Sequence, residues 1–231
     1  MYNKNLKFIV DFVKGNIYSR NGAKIKYIVI HDTGNTNAGA NAKNHKNYVG
    51  SNERGASAHY FVDENEIRQY VPDSKSAGSV GDGKGKFGIT NSNSISIEMC
   101  LNSDGDFETT YSNTIELVKN MMIKFNISAD NVVRHYDASR KCCPCILSKN
   151  NWKKWWEFKE LIKEPLELKI DLEKTSTAEE KEQSAMNNDF DNEYKEAIEK
   201  GITDGTRPNE TATRKEVAVM ILRALKNKTP E

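Results

Sequence analysis

Within fourteen residues, "VVRHYDASRKCCPC" (132–145), the chain sets His135, Asp137 and Lys141 beside three of its four cysteines, Cys142, Cys143 and Cys145. Thiols in such a cluster can pair as disulfides, attack a substrate, or hold a metal together with imidazole. Adjacent cysteines such as Cys142 and Cys143 suit few strain-free bridges, and four cysteines in 231 residues fall far short of a disulfide scaffold. A cysteine nucleophile needs a helix N-terminus or comparable feature to lower its pKa, and the stretch offers none. A catalytic zinc typically takes three protein ligands and leaves the fourth position for water. His31, His135 and Cys143 have the right types, with His31 closing "KIKYIVIH" (24–31). Taken alone the set is a weak signal, because a strand-end histidine is more often a hydrogen-bonded surface residue.

The elements that must position these side chains can be read from periodicity. Residues 24–31 form a near-continuous apolar run rich in β-branched residues, as in a buried central strand. "SAHYFVD" (57–63) and "EIRQYV" (66–71) read as a hairpin across "EN". In "SISIEMCL" (94–101) the apolar residues Ile95, Ile97, Met99 and Leu101 alternate with Ser94, Ser96, Glu98 and Cys100, so Glu98 shares the polar face. Helices are expected over 39–50, 110–125 and 151–163, and a short strand over 131–133 delivers His135 at its end. The Gly-, Ser-, Asp- and Asn-rich stretch 73–93 is a long loop, and loops of that length are commonly functional. Strands interleaved with helices predict an α/β fold: a mixed central β-sheet flanked by helices.

Composition bounds the rest. The chain is 37 % hydrophobic and 29 % charged, with no run near the roughly 18 apolar residues of a membrane span. The N-terminal "FIV" is too short for a secretory leader. The expectation is therefore a protein that stays in the cytoplasm until release, without membrane insertion. Residues 1–163 carry a net charge of +6 and residues 164–231 one of −5, which suggests two modules. The basic excess is too mild and dispersed for nucleic acid. Residues 164–188 lack apolar periodicity and read as a linker. Residues 189–231 read as a small all-α module, with Thr213 and Glu216 forming a capping box. So small a unit is expected to pack on the first domain, or on a copy of itself in a homodimer.

Four segments, "IVIHDTGN" (28–35), "SAHYFVDENEIRQYVP" (57–72), "NSISIEMCLNSDGDF" (93–107) and "RHYDASRKCCP" (134–144), stand in the order and spacing of one family. The chain resembles the zinc-dependent N-acetylmuramoyl-L-alanine amidases of phage endolysins and bacterial autolysins, relatives of the peptidoglycan recognition proteins. The resemblance covers roughly residues 20–163. It implies zinc as cofactor, with His31, His135 and Cys143 as ligands. Cys143 is selected because it precedes proline eight residues after His135. It also implies Glu98 as the catalytic carboxylate and Lys141 as a stabiliser of the transition state. His59 and Asn35 are candidates for substrate contact. His59 could equally be packed in the sheet, and His45 is expected on the surface. Asp137 is expected to form a turn, and Cys100 to be a small buried residue. Cys142 and Cys145 receive no role.

The implied substrate is bacterial peptidoglycan, cut between N-acetylmuramic acid and L-alanine. One departure stands out: "AGSVGDG" (77–83) places Ser79 where many relatives carry a histidine. The alternatives are a recognition module that grips muropeptides without cutting them and a cysteine hydrolase using Cys143 with His135. The C-terminal "AIEKGITDGTRPNETATRKEVAVMILRAL" resembles an S-layer homology motif, implying contact with a secondary cell-wall polymer.

Overall fold

The computed structural model describes residues 6–164 except Asn52. The expected linker, the capping box and the all-α C-terminal module lie outside the described residues. The elements are β1 (Lys7–Val10), β2 (Ile17–Tyr18), β3 (Tyr27–Asp32), α1 (His45–Ser51), β4 (Tyr60–Val62), β5 (Glu66–Gln69), β6 (Ser76–Ala77), β7 (Ser94–Met99), α2 (Phe107–Phe125), β8 (Val132–Arg134), α3 (His135–Ser139) and α4 (Lys149–Leu161).

Six strands form one mixed sheet in the order β1-β5-β4-β7-β3-β8, while β2 and β6 make a separate antiparallel pair. The four strands β4, β7, β3 and β8 are mutually parallel. Their carboxyl ends therefore meet at one edge, where open α/β sheets characteristically place their sites. The antiparallel partner of β4 is β5, as the hairpin reading required.

The alternation in β7 separates two environments. Ile95, Ile97 and Met99 join Ile28, Ile30, Tyr60, Val62 and Val132 in one core that also holds Leu117, Val118 and Met121 of α2 and Trp155 and Phe158 of α4. Each wholly buried isoleucine contributes about 1.5–3 kcal/mol relative to exposure. The opposite face is also covered. Val29 packs with Val80, Ile89 and Ala138, and Phe61 packs with Val13, Val49 and Tyr70. Ser94 and Ser96 are fully buried there. Ser94 donates to the Thr90 carbonyl at 2.7 Å, and Ser96 meets the Ser79 hydroxyl.

α2 is capped by Asp106, whose carboxylate accepts from Glu108 N–H, and it closes at Asn126 in left-handed backbone. The expected helix over 39–50 begins later and is shorter, as α1. The expected loop 73–93 contains β6 and two 3-10 turns, Gly81–Gly83 and Asn91–Asn93. The "FIV" near the N-terminus lies in β1, beside β5.

Candidate metal centre

The parallel register brings the chemistry together. His31 on β3 stands opposite Glu98 on β7, and Ile30 stands opposite Arg134 on β8. Residues paired across parallel strands project to the same face, so His31 and Glu98 share one side. His135 follows Arg134 directly, as the first residue of α3. The loop after α3 then returns Cys143 to β3: Tyr136 N–H donates to the Cys143 carbonyl at 2.9 Å, and Ile146 N–H donates to Asp32 Oδ2 at 2.8 Å. His31, His135 and Cys143 are all buried, and one ligand atom from each lies within 4.8 Å of the others. They come from positions 112 and 8 residues apart in the sequence, joined by the sheet.

His31 Nδ1 is 3.7 Å from Cys143 Sγ and 3.9 Å from Glu98 Oε1. Zinc–nitrogen and zinc–sulfur bonds of about 2.1 and 2.3 Å at a tetrahedral angle separate two ligand atoms by about 3.6 Å. His135 Nε2 stands 2.8 Å from Asp82 Oδ1, which sets the proton on that nitrogen, while His135 Nδ1 is buried without a hydrogen-bond partner. His31 Nε2 is likewise buried without one. An orphaned buried polar atom such as His135 Nδ1 is costly unless something pairs with it, and a cation shared with His31 Nδ1 and Cys143 Sγ would do so. Burial lowers the pKa of both histidines, against the upward pull of Asp82 on His135, which favours neutral rings able to ligate at neutral pH.

Burial also pushes the Cys143 thiol up, and the Glu98 carboxylate adds to the push. Left to itself this thiol is a poor nucleophile, which tells against the cysteine-hydrolase reading. A cation beside it would supply the missing stabilisation of its thiolate. Burial, reinforced by Asp32, holds the Glu98 carboxyl well above the ordinary carboxylate range, and Lys141 opposes this. Glu98 thus has the raised pKa of a group suited to moving protons.

A cleft of about 200 Å³ opens over these groups, lined by His31, Glu98, His135, Lys141, Cys143 and Ser79 among others. Asn35 lines an adjoining cavity of about 430 Å³ that shares Thr33, His45 and Tyr48 with the cleft. His59 is elsewhere. It is fully buried, its Nδ1 accepts Ser96 N–H at 3.0 Å, and its Nε2 lies 3.1 Å from the Lys75 carbonyl. Asp137 binds Arg134 N–H and its guanidinium, closing the turn into α3. Cys100 is buried.

Two residues at the site escaped sequence reading. His45 was expected on the surface, but it is buried at the start of α1. It stacks on Phe61 with ring centroids 5.1 Å apart and donates from Nδ1 to the Asn41 carbonyl at 2.8 Å. The delayed helix start turns it inward onto the sheet, and no periodicity in so short a helix announces this. Asp82 lies in the Gly-rich loop, whose length marked it as functional without singling out a residue.

A model of the N-acetylmuramoyl-L-alanine amidase family matches residues 21–146, more than half of the chain. The amidase XlyA of Bacillus subtilis (strain 168) is 38 % identical over 141 residues, covering 60 % of this chain and 46 % of that protein. The amidase CwlH of the same organism is 41 % identical over 118 residues, covering 51 % of this chain and 46 % of that protein. The chain thus spans about half the length of the curated relatives it matches. The solved catalytic domain of XlyA superimposes with a TM-score of 0.60 at 37 % identity, covering 67 % of this chain and 98 % of that one. With the fold of a solved amidase catalytic domain and a family match over the segment that holds every residue of the cleft, the chain belongs to the N-acetylmuramoyl-L-alanine amidase family.

Proposed function

We propose that the chain is a zinc-dependent peptidoglycan hydrolase of the phage-endolysin or autolysin type, cutting the amide between the lactyl group of N-acetylmuramic acid and L-alanine. The observation that carries this reading is the convergence of His31, His135 and Cys143 within 4.8 Å beside Glu98, at the floor of an open cleft. Two histidines and a thiol are a suitable donor set for zinc, and an open cleft above three ligands leaves room for water and substrate. Zinc held there would polarise the scissile carbonyl and lower the pKa of water.

The side chains supply the rest of the chemistry. Glu98 accepts the proton of the attacking water and passes it to the departing L-alanine amine. Lys141, on the cleft wall, offsets the negative charge that develops on the carbonyl oxygen. Asp82 holds the His135 ring so that Nδ1 faces inward. Asn35 and the cavity it lines would receive the flanking substrate. The C-terminal segment would tether the enzyme to a cell-wall polymer and raise its local concentration at the substrate. Since peptidoglycan lies outside the cytoplasmic membrane, the enzyme would act there after release.

Digestion of purified peptidoglycan with and without a zinc chelator tests the reading. New L-alanine N-termini should appear without new reducing sugars, and chelation should abolish them. Full activity after exhaustive zinc removal would refute the metal, and new reducing ends would refute the amidase. Glu98→Gln should keep the zinc stoichiometry of the wild type while lowering kcat roughly 10²–10⁴-fold.

A further inference from the structure

The proposed chemistry uses neither Cys142 nor Cys145, yet these two thiols are in contact. Their sulfurs stand 2.9 Å apart, and both side chains are exposed. Cys143, between them in sequence, is buried and turned toward His31. Its backbone is held by Tyr136 N–H on its own carbonyl, and the chain just beyond Cys145 is held where Ile146 N–H meets Asp32. Two anchors therefore fix a short loop that points one thiol inward and leaves its two neighbours facing each other at the surface.

We propose that Cys142 and Cys145 are a reversible dithiol–disulfide pair, reacting with low-molecular-weight disulfides, and that this pairing keeps Cys143 out of disulfide chemistry. Three thiols within four residues can form three bridges, and two of those would consume Cys143. The geometry favours the third. Closing from 2.9 Å to the disulfide length of about 2.05 Å takes a shift of under about 1 Å. Cys143 would instead have to leave a buried position to reach either neighbour.

The chemistry is ordinary exchange. One thiolate attacks a sulfur of the small disulfide, forming a mixed disulfide and releasing one small thiolate. The second cysteine thiolate then attacks the protein sulfur of that mixed disulfide and releases the other small thiolate. The protein dithiol gives up two electrons and two protons, and the small disulfide is reduced to two thiols. The pairing itself rests on the contact between the two sulfurs. Its value in sparing a ligand rests on the proposed role of Cys143.

The test uses the full chain loaded with zinc, its metal content measured first so that failure of the metal reading shows separately. The protein is equilibrated with oxidised glutathione and quenched. Free thiols are alkylated under denaturing conditions, disulfides are reduced and labelled differently, and the peptide is sequenced by fragment ions. The expected result is that Cys142 and Cys145 carry the second label, Cys143 carries the first, and the intact mass falls by two hydrogens. Cys142→Ser and Cys145→Ser should each lose the internal bridge and retain glutathione on the remaining partner, with zinc content unchanged. A bridge that includes Cys143, or glutathione held separately on Cys142 and Cys145 of the wild type, would overturn the proposal.

Discussion

Asp82 shows how much the proposed metal site would depend on residues that touch no metal. Its carboxylate sets both the tautomer and the direction of the His135 ring, and nothing else among the described residues binds Nε2 of that ring. Removing it leaves a buried imidazole free to turn or to adopt the other tautomer. Asp82→Ala should weaken zinc binding by roughly 10–100-fold, measured by competition with a chelating dye, while the far-UV circular dichroism stays that of the wild type. An unchanged zinc affinity would show that burial alone orients His135. Arg134 gives a second kind of support from the adjacent position. Its guanidinium lies 4.3 Å over the Trp152 ring and pairs with Asp137 at 2.7 Å, tying β8 to α4 immediately before His135.

Among elements, the seating of the turn Gly81–Gly83 against α3 decides whether Asp82 can reach its partner. A Cβ on Gly83 would collide with the Ala138 carbonyl oxygen, which belongs to α3 and cannot move aside as a flexible side chain would. Gly83→Ala should therefore push the turn away from α3. We expect a loss of about 1–3 kcal/mol in urea unfolding together with a fall in zinc affinity like that of Asp82→Ala. Loss of stability with zinc affinity intact would mean that the turn is not what holds Asp82 in place. The loop that carries Cys143 has the corresponding support at Asp32, where one carboxylate fastens the chain after Cys145 to the end of β3.

For the whole molecule, His59 links stability to pH. Burial, with the Arg20 guanidinium 3.0 Å away, lowers its pKa from about 6.5 to about 4. The neutral ring is held by Ser96 N–H and the Lys75 carbonyl, and the folded state resists its protonation. The unfolded chain accepts that proton near pH 6.5, so the unfolded state binds more protons between pH 6.5 and pH 4. The stability due to neutral His59 is complete above pH 6.5 and is lost progressively as pH falls toward 4. Between pH 7 and pH 5 the loss should be about 2 kcal/mol. Urea titrations at the two pH values should show His59→Gln with a pH dependence smaller by that amount, and equal slopes would refute the linkage.

Much of this was legible in the residues themselves. The run 24–31, the alternation of 94–101 and the apolar spacing of 110–125 announced β3, β7 and α2, because burial on one or both faces dictates where apolar side chains recur. The types and order of His31, His135 and Cys143 were a weak signal by themselves, and the four segments resembling one family singled them out together with Glu98. What the linear pattern could not carry was everything that depends on which strands are neighbours. The pairing of β3 with both β7 and β8 turns four residues spread over 113 positions into one cluster, and sequence periodicity holds no record of strand order. The inward turn of His45, the hydrogen bond that Asp82 accepts from His135 and the burial of His59 are likewise set by packing between distant segments. The same is true of the thiols with which the sequence reading began. The sequence set Cys142, Cys143 and Cys145 within four residues, and only the tertiary fold, by anchoring the loop at Tyr136 and Asp32, turned one inward and left two in contact at the surface.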